Sequence, residues 1–166
     1  MNYFYKYNSL LGEMTMISSN GNLAVLAFDG KEIFKKYSLL NFEEKNIPVF
    51  KLTAKWLNIY FSKNKPEFTP PLALIGSDFE KEVWSITQNV TYGKTTTYGK
   101  IAAEIAKKRG IKKMSSQAVG NALGHNPVAI IIPCHRVIGS DGKLTGYSGG
   151  IDKKAALLEL ESKFID

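Results

Sequence analysis

Residues 126–140 read Asn126-Pro127-Val128-Ala129-Ile130-Ile131-Ile132-Pro133-Cys134-His135-Arg136-Val137-Ile138-Gly139-Ser140. The apolar run from Val128 to Ile132 predicts a buried strand, and Pro133 stops it. A cysteine and a histidine follow at once. The end of such a strand is a rigid mount for a nucleophile. A thiol reacts as thiolate, so it needs a proton acceptor and nearby positive or dipolar groups. His135 can accept the proton, and Arg136 can add a favourable field. Consecutive side chains on an extended backbone point to opposite sides. A bridging water is therefore the expected link between Cys134 and His135. The competing reading is a buried cysteine that only fills space.

A histidine in this role wants an orienting carboxylate. Downstream, Lys153-Lys154-Ala155-Ala156-Leu157-Leu158-Glu159-Leu160-Glu161 predicts an amphipathic helix with Leu157, Leu158 and Leu160 in the core. Glu161 falls close to these apolar positions, where a carboxylate needs a partner. Upstream, Tyr98 to Lys108 carries Ile101, Ala102 and Ile105 at helical spacing. The basic turn Lys108-Arg109-Gly110-Ile111-Lys112-Lys113 follows. Ser115 or Ser116 then caps a second helix, residues 117–123, which Gly124 closes. This is a helix-turn-helix pattern, and its second helix has small side chains at Ala118, Gly120 and Ala122. Such a surface suits close backbone approach better than hydrogen-bond readout of base edges. Between Lys94 and Lys113, seven cations stand against Glu104 alone, a local charge of +6. Concentrated positive charge attracts polyanions. A solvated lysine-rich helix face is the alternative.

Before this region, Lys65-Pro66-Glu67-Phe68-Thr69-Pro70-Pro71 breaks regular structure and separates two lobes, read as residues 1–76 and 77–166. Ser77 and Glu80 form the pattern of a capping box, opening a helix with Phe79, Val83, Ile86 and Val90 on one face. The first lobe reads as strands over Asn2–Tyr7, Glu13–Ser18 and Leu23–Phe28, the last ending at Asp29-Gly30. A helix follows over Lys51–Ser62, with Leu52, Trp56, Ile59 and Tyr60 on its inner face. Residues 31–47 carry no clear pattern. The whole chain has 166 residues, 44% of them hydrophobic, and a net charge of +7. Wholesale disorder is excluded, and no apolar run is long enough for a membrane span. One cysteine excludes an internal disulfide, and Cys134, His125 and His135 are too few for a structural zinc site. No secretory signal is visible, so a soluble cytoplasmic protein is expected.

Pro133-Cys134-His135-Arg136-Val137-Ile138, followed by Gly146-Tyr147-Ser148-Gly149-Gly150, resembles the active-site signature of the O6-alkylguanine-DNA alkyltransferases, the methylated-DNA–protein-cysteine methyltransferases. The likeness runs from about Phe79 to Glu161. It takes in Thr97-Tyr98, Ala118-Val119-Gly120 and Asn126-Pro127, whereas residues 1–76 match only in length and layout. It implies an α/β N-terminal lobe of ribonuclease H-like architecture, with a small antiparallel sheet plus helix. A mainly helical C-terminal lobe would contain the helix-turn-helix. It implies stoichiometric DNA repair: Cys134 takes the alkyl group from O6-alkylguanine, with O4-alkylthymine as a further candidate, after the base is flipped out of the duplex. It further implies that Asn126 braces the turn, and that Cys134, a water, His135 and Glu161 form a proton relay. By the same resemblance Tyr98, Val137, Tyr147, Ser148 and Gly149 bind the extruded base. Gln117, Ala118, Gly120, Lys112, Lys113 and Ser140 meet the DNA, with the second helix in the minor groove. Double-stranded DNA is the implied partner of a monomer, and no cofactor or metal is implied.

One position departs from the family pattern. Where relatives commonly insert an arginine into the vacated stack, this chain has Gln117, and the turn before it is longer. Arg109, Lys112 or Lys113 is the expected source of compensating charge. An alkyltransferase-like protein without the cysteine, a helix-turn-helix regulator and a thiol hydrolase are the alternatives. The presence of Cys134, the Pro-Cys-His-Arg sequence and single-turnover behaviour, respectively, discriminate against them.

Overall fold

The structure, a computed structural model, describes residues 2–28 and 30–163. Asp29, the expected end of the third strand, lies outside them, as do Met1 and residues 164–166 at the ends of the two expected lobes. The described chain forms two compact units. One holds the residues up to Ile75 together with Pro127–Ala129, and the other holds Gly76–Asn126 and Ile130–Lys163. A single cut at 76/77 therefore leaves residues 127–129 on the wrong side of the division.

The first unit is built on a four-stranded sheet in the order β3-β2-β1-β4. Strands β1 (Tyr3–Ser9), β2 (Gly12–Ser19) and β3 (Asn22–Ala27) form an antiparallel meander, and β4 (Glu43–Glu44) adds in parallel to β1. The turn into β3 needs left-handed backbone at Asn20 and Gly21, residues that tolerate it. β2 is central and buried on both faces. Ile17, paired with Phe4 and Val25, packs against Phe34 and Tyr37 of α1 (Gly30–Tyr37). Met14, Met16 and Leu26 are buried on the opposite face, on which α2 (Pro48–Phe61) lies against β1 and β3. Thus residues 31–47, patternless as sequence, supply α1, a short 3-10 turn and β4.

The buried face of α2 is Val49, Phe50, Thr53, Trp56, Leu57 and Tyr60. Leu52 and Ile59, expected on that face, sit half-buried at its margins. Beyond β3, short parallel bridges join Leu23 to Leu72 and Leu26 to Val128. The proline-rich breaker and part of the apolar run before Cys134 are thereby fixed along the sheet edge.

The second unit is helical. α3 (Asp78–Gln88) begins with the expected capping box: the Glu80 amide donates to Ser77 Oγ at 3.1 Å, and the Ser77 amide donates to Glu80 Oε1 at 2.9 Å. Its inner face centres on Val83, Trp84, Ile86 and Thr87, and the Trp84 indole donates to Ala122 O at 2.8 Å. α4 (Tyr98–Arg109) is capped by Thr97 and ends at Gly110, whose φ of 66° is the left-handed C-cap that glycine favours. α5 (Ser116–Gly124) is capped by the Ser115 hydroxyl. Together α4 and α5 form the helix-turn-helix. α6 (Ile151–Ser162) buries Lys154, Leu157 and Glu161. The expected core trio differs: only Leu157 is fully buried, while Leu158 and Leu160 are half-buried.

The expected strand over 128–132 is absent as a regular strand. Val128 makes one bridge, and the chain turns at Ile130 with φ 69°. Positive φ is a genuine outlier for a β-branched residue. A 3-10 turn over Cys134–Arg136 follows, leading into β6 (Val137–Ile138), which pairs in parallel with β5 (Thr96–Thr97).

Candidate active site

Cys134 and His135 lie in a tight turn, so the opposite-sides geometry of an extended chain does not apply to them. Asn126 braces this turn. Its Nδ2 donates to Ile132 O at 2.8 Å and to Cys134 Sγ at 3.1 Å. Cys134 is 6% exposed within the apolar cluster of Val83, Ile86, Ile101 and Val137, against which Tyr98 and Tyr147 pack. Burial raises the thiol pKa. The Asn126 hydrogen bond, the Lys154 charge and the main-chain amides of Cys134 and His135 oppose that rise. The resting sulfur is therefore a protonated thiol with charge-stabilising groups already around it.

Behind it, buried His135 meets Glu161, with Nε2 2.5 Å from Oε2. Arg136 holds the same carboxylate through Nε to Oε1 at 2.7 Å and Nη2 to Oε2 at 3.2 Å, and donates Nη1 to Val90 O at 2.7 Å. The Gly93 amide adds a bond to Oε1 at 3.2 Å. Burial on its own raises the Glu161 pKa, but His135 and Arg136 bring it down to about 2. Burial lowers the His135 pKa against the pull of Glu161. An ionised carboxylate must accept, so the neutral imidazole donates from Nε2 and keeps Nδ1 as its basic nitrogen. Arg136 thus does more than lend a field: it fixes the carboxylate that fixes the tautomer.

A cavity of about 560 Å³ opens beside this centre, lined by Tyr98, Gln117, Gly120, Asn121, Thr145, Tyr147 and Ser148, among others. The Tyr98 hydroxyl donates to Thr145 O at 2.9 Å. Burial, and then the charges of Cys134 and Glu161, raise the Tyr147 pKa well above the usual phenol range, so it remains a phenol. Its buried hydroxyl has no hydrogen-bond partner among the described residues. The sequence-predicted residues therefore fall into four groups. Cys134, His135, Glu161 and Asn126 form one bonded cluster. Tyr98, Tyr147, Ser148, Gln117 and Gly120 line one cavity. Val137 and Gly149 are not in its wall, and the Val137 carbonyl is occupied by Lys154 at 2.6 Å. Lys112, Lys113 and Ser140 are exposed, and Ala118 is half-buried on α5. Arg109 is not free to compensate for Gln117. Its guanidinium pairs with Glu82 at 2.5 Å and lies over the Phe79 ring.

The residue sequence reasoning missed is Lys154. It is fully buried, one turn before Leu157 and two before Glu161 on the same face of α6. That i, i+3, i+7 spacing was the available signal.

A sheet unit with helices on both faces, and a helical unit carrying a helix-turn-helix and a buried, relayed cysteine, together define a DNA-binding-type protein with a thiol centre. Residues 2–74 match the family model described as 6-O-methylguanine DNA methyltransferase, ribonuclease-like domain, and residues 78–163 match that family's DNA binding domain. The chain belongs to the 6-O-methylguanine DNA methyltransferase family. It is 38% identical over 160 residues to the methylated-DNA–protein-cysteine methyltransferase of Methanosarcina acetivorans, covering 96% of this chain and 97% of that one. It is 52% identical over 105 residues to the protein of the same name from Mycobacterium bovis, a match covering 63% of this chain and 61% of that relative's length. Among solved structures, the Mycobacterium tuberculosis O6-methylguanine methyltransferase aligns with TM-score 0.83 at 37% identity over 100% of this chain and 96% of that one. The same organism's OGT in complex with DNA aligns with TM-score 0.79 at 40% identity, over 96% and 92%. The first unit is therefore ribonuclease-like, as the sequence resemblance implied.

Proposed function

We propose that this protein repairs double-stranded DNA by transferring the alkyl group of O6-alkylguanine irreversibly to Cys134, one turnover per molecule. One observation carries the reading: a buried thiol held by Asn126 Nδ2 at 3.1 Å beside a histidine–glutamate–arginine set and a cavity large enough to admit a base. Cys134 loses its proton to His135, through a water, and attacks the alkyl carbon. The S–C bond forms as the C–O6 bond breaks, and the electron pair leaves on guanine. The departing base takes a hydrogen bond or a proton from Tyr98. Inside a duplex the O6 substituent is out of reach, so the base is extruded at a cost of a few kcal/mol. It then enters the cavity between Tyr147, Ser148 and the α5 face.

Val137 and Gly149 contribute main chain beside the pocket. Gln117, with Ala118, Gly120, Lys112, Lys113 and Ser140, meets the DNA in this reading. The protein works as a cytoplasmic monomer and needs no cofactor. O4-alkylthymine is a second substrate of the same chemistry.

Mixing the protein with an oligonucleotide containing O6-methylguanine and measuring intact mass tests the proposal. A gain of about 14 Da confined to the Cys134 peptide is expected. Repeated turnover with unmodified Cys134 refutes it.

A further inference from the structure

Among the described residues, Lys154 is a cation with no counter-ion. It is 0% exposed, and its ammonium donates to Val137 O at 2.6 Å, Thr145 O at 2.7 Å and Tyr98 Oη at 3.4 Å. Nζ also lies 5.8 Å from the Tyr98 ring centroid. Three acceptors satisfy three N–H groups, but none carries charge. Among the described residues no carboxylate stands within ion-pair distance. The buried carboxylate on the same helix face, Glu161, is already held by Arg136. With Glu161 and Arg136 offsetting each other and His135 neutral, Lys154 leaves the centre with one excess positive charge. Burying an unpaired ammonium is costly. A neutral donor could bridge the same carbonyls without that cost, so the charge needs a reason of its own.

We propose that Lys154 is a positioning residue for alkyl transfer. Its buried ammonium ties the Tyr98 phenol and the Thr145 carbonyl, both at the cavity wall, to the Val137 carbonyl, and supplies the positive field in which Cys134 becomes a thiolate. The inference rests on the repair reading for its substrate, but its action on the thiol does not need DNA. During transfer, negative charge forms on sulfur as the proton leaves, then passes to the purine as the S–C bond forms and the C–O6 bond breaks. The ammonium faces both stages, the second through the hydroxyl it donates to, because a phenol that accepts a hydrogen bond becomes a better donor. The same charge acts on both partners of the proton transfer. It draws the Cys134 pKa down against burial, and it adds to the burial that keeps His135 unprotonated. The other groups around the thiol are Asn126 and Tyr147, with Glu161 and Arg136 behind His135.

The test uses the full chain with Lys154→Met, which keeps length and loses charge, Lys154→Gln, which keeps a donor, and Lys154→Arg, which keeps the charge. Thermal unfolding identifies which variants remain folded. The rate of Cys134 alkylation by iodoacetamide is followed against pH without DNA, and methyl transfer from an O6-methylguanine duplex is followed by mass. In the neutral variants the thiol midpoint should rise by about one pH unit and transfer near neutral pH should slow by about tenfold. Lys154→Arg should restore the midpoint. An unchanged midpoint in a folded neutral variant overturns the proposal and makes Lys154 a structural staple, as does a midpoint in Lys154→Arg displaced as far as in Lys154→Met. If wild type takes no methyl group from the duplex, the repair reading fails, while the iodoacetamide profile still decides the role of Lys154.

Discussion

The helical unit presents two polar regions built on opposite plans. Around Cys134 each charged group is buried and bonded: Glu161 takes hydrogen bonds from His135, Arg136 and Gly93, and Lys154 meets three oxygens. Along α5 and the turn before it, Gln117, Lys112 and Lys113 are exposed to solvent. Water screens charge on that face and leaves side chains mobile, whereas the interior fixes geometry and magnifies charge. The contrast separates two tasks. A reacting centre must have its donors in place before the substrate arrives, while a surface that follows a phosphate backbone gains from adaptable cations. Changes in the first region should alter chemistry and stability, and changes in the second should alter binding and its salt dependence.

The largest expected effect is that of Cys134→Ala. It should abolish alkyl transfer while leaving affinity for an O6-methylguanine duplex close to wild type, as measured by fluorescence anisotropy. A folded variant that loses both would break the separation between the two regions.

Glu161→Gln should follow. It leaves the Arg136 charge buried without a counter-ion, and should cost about 3 kcal/mol in denaturant unfolding and slow methyl transfer, with duplex affinity unchanged. The acid limb of stability carries the same signature. The folded pKa of Glu161, about 2, lies below its unfolded value. Its contribution is therefore complete above the unfolded pKa and is lost as pH falls through the folded one. The loss, about 3 kcal/mol at most, should run from roughly pH 4.5 down to 2. Glu161→Gln should flatten that limb, and an equally steep limb in the variant would assign it to other carboxylates.

The two regions were also unequally legible in sequence. The capping box at Ser77 and Glu80 and the cap at Ser115 are local patterns, and the structure has each of them. Residue chemistry suggested Cys134, His135 and Glu161 as a set, but only the resemblance joined Asn126 to them and fixed the grouping, because contacts 26 residues apart leave no local periodicity. Two features escaped. The apolar run before Pro133 satisfies every local criterion for a strand. Its left-handed turn at Ile130 is imposed by tertiary structure, with Val128 bridged to the first sheet and Asn126 reaching to Ile132 and the sulfur. On α6, counting leucines selects the wrong face, since the buried stripe is Lys154, Leu157 and Glu161. A lysine on an amphipathic helix reads as solvated unless the glutamate seven residues on is already known to be buried.

Within the exposed region, the basic residues are themselves of two kinds. Lys112 and Lys113 should each release about one counterion, so replacing both with Ala should reduce the slope of log affinity against log salt by roughly 2. Arg109→Ala should change that slope less, since its guanidinium is engaged by Glu82 and Phe79, and should cost about 1 kcal/mol of stability or less because the pair is half-exposed. Equal slope changes at the three positions would mean that the Glu82 pair opens when DNA binds.

The smallest and most discriminating effect concerns Gln117. It is exposed on the first turn of α5 and lines the cavity beside Asn121, so it sits where the reactive pocket meets the adaptable face. A neutral amide there can fill the space an extruded base leaves and hydrogen-bond the orphaned partner, but it adds nothing to phosphate attraction. Gln117→Arg should therefore tighten duplex binding and make affinity about threefold more sensitive to a rise from 50 to 200 mM salt, the share of one released counterion. Gln117→Ala should leave binding nearly unchanged, yet slow repair of the duplex lesion more than reaction with free O6-methylguanine, which needs no extrusion. Because both substrates meet the same Cys134, the ratio of the two rates isolates flipping from chemistry. Equal slowing on both substrates would instead make Gln117 part of the pocket wall, and the line between the two regions would then run outside α5.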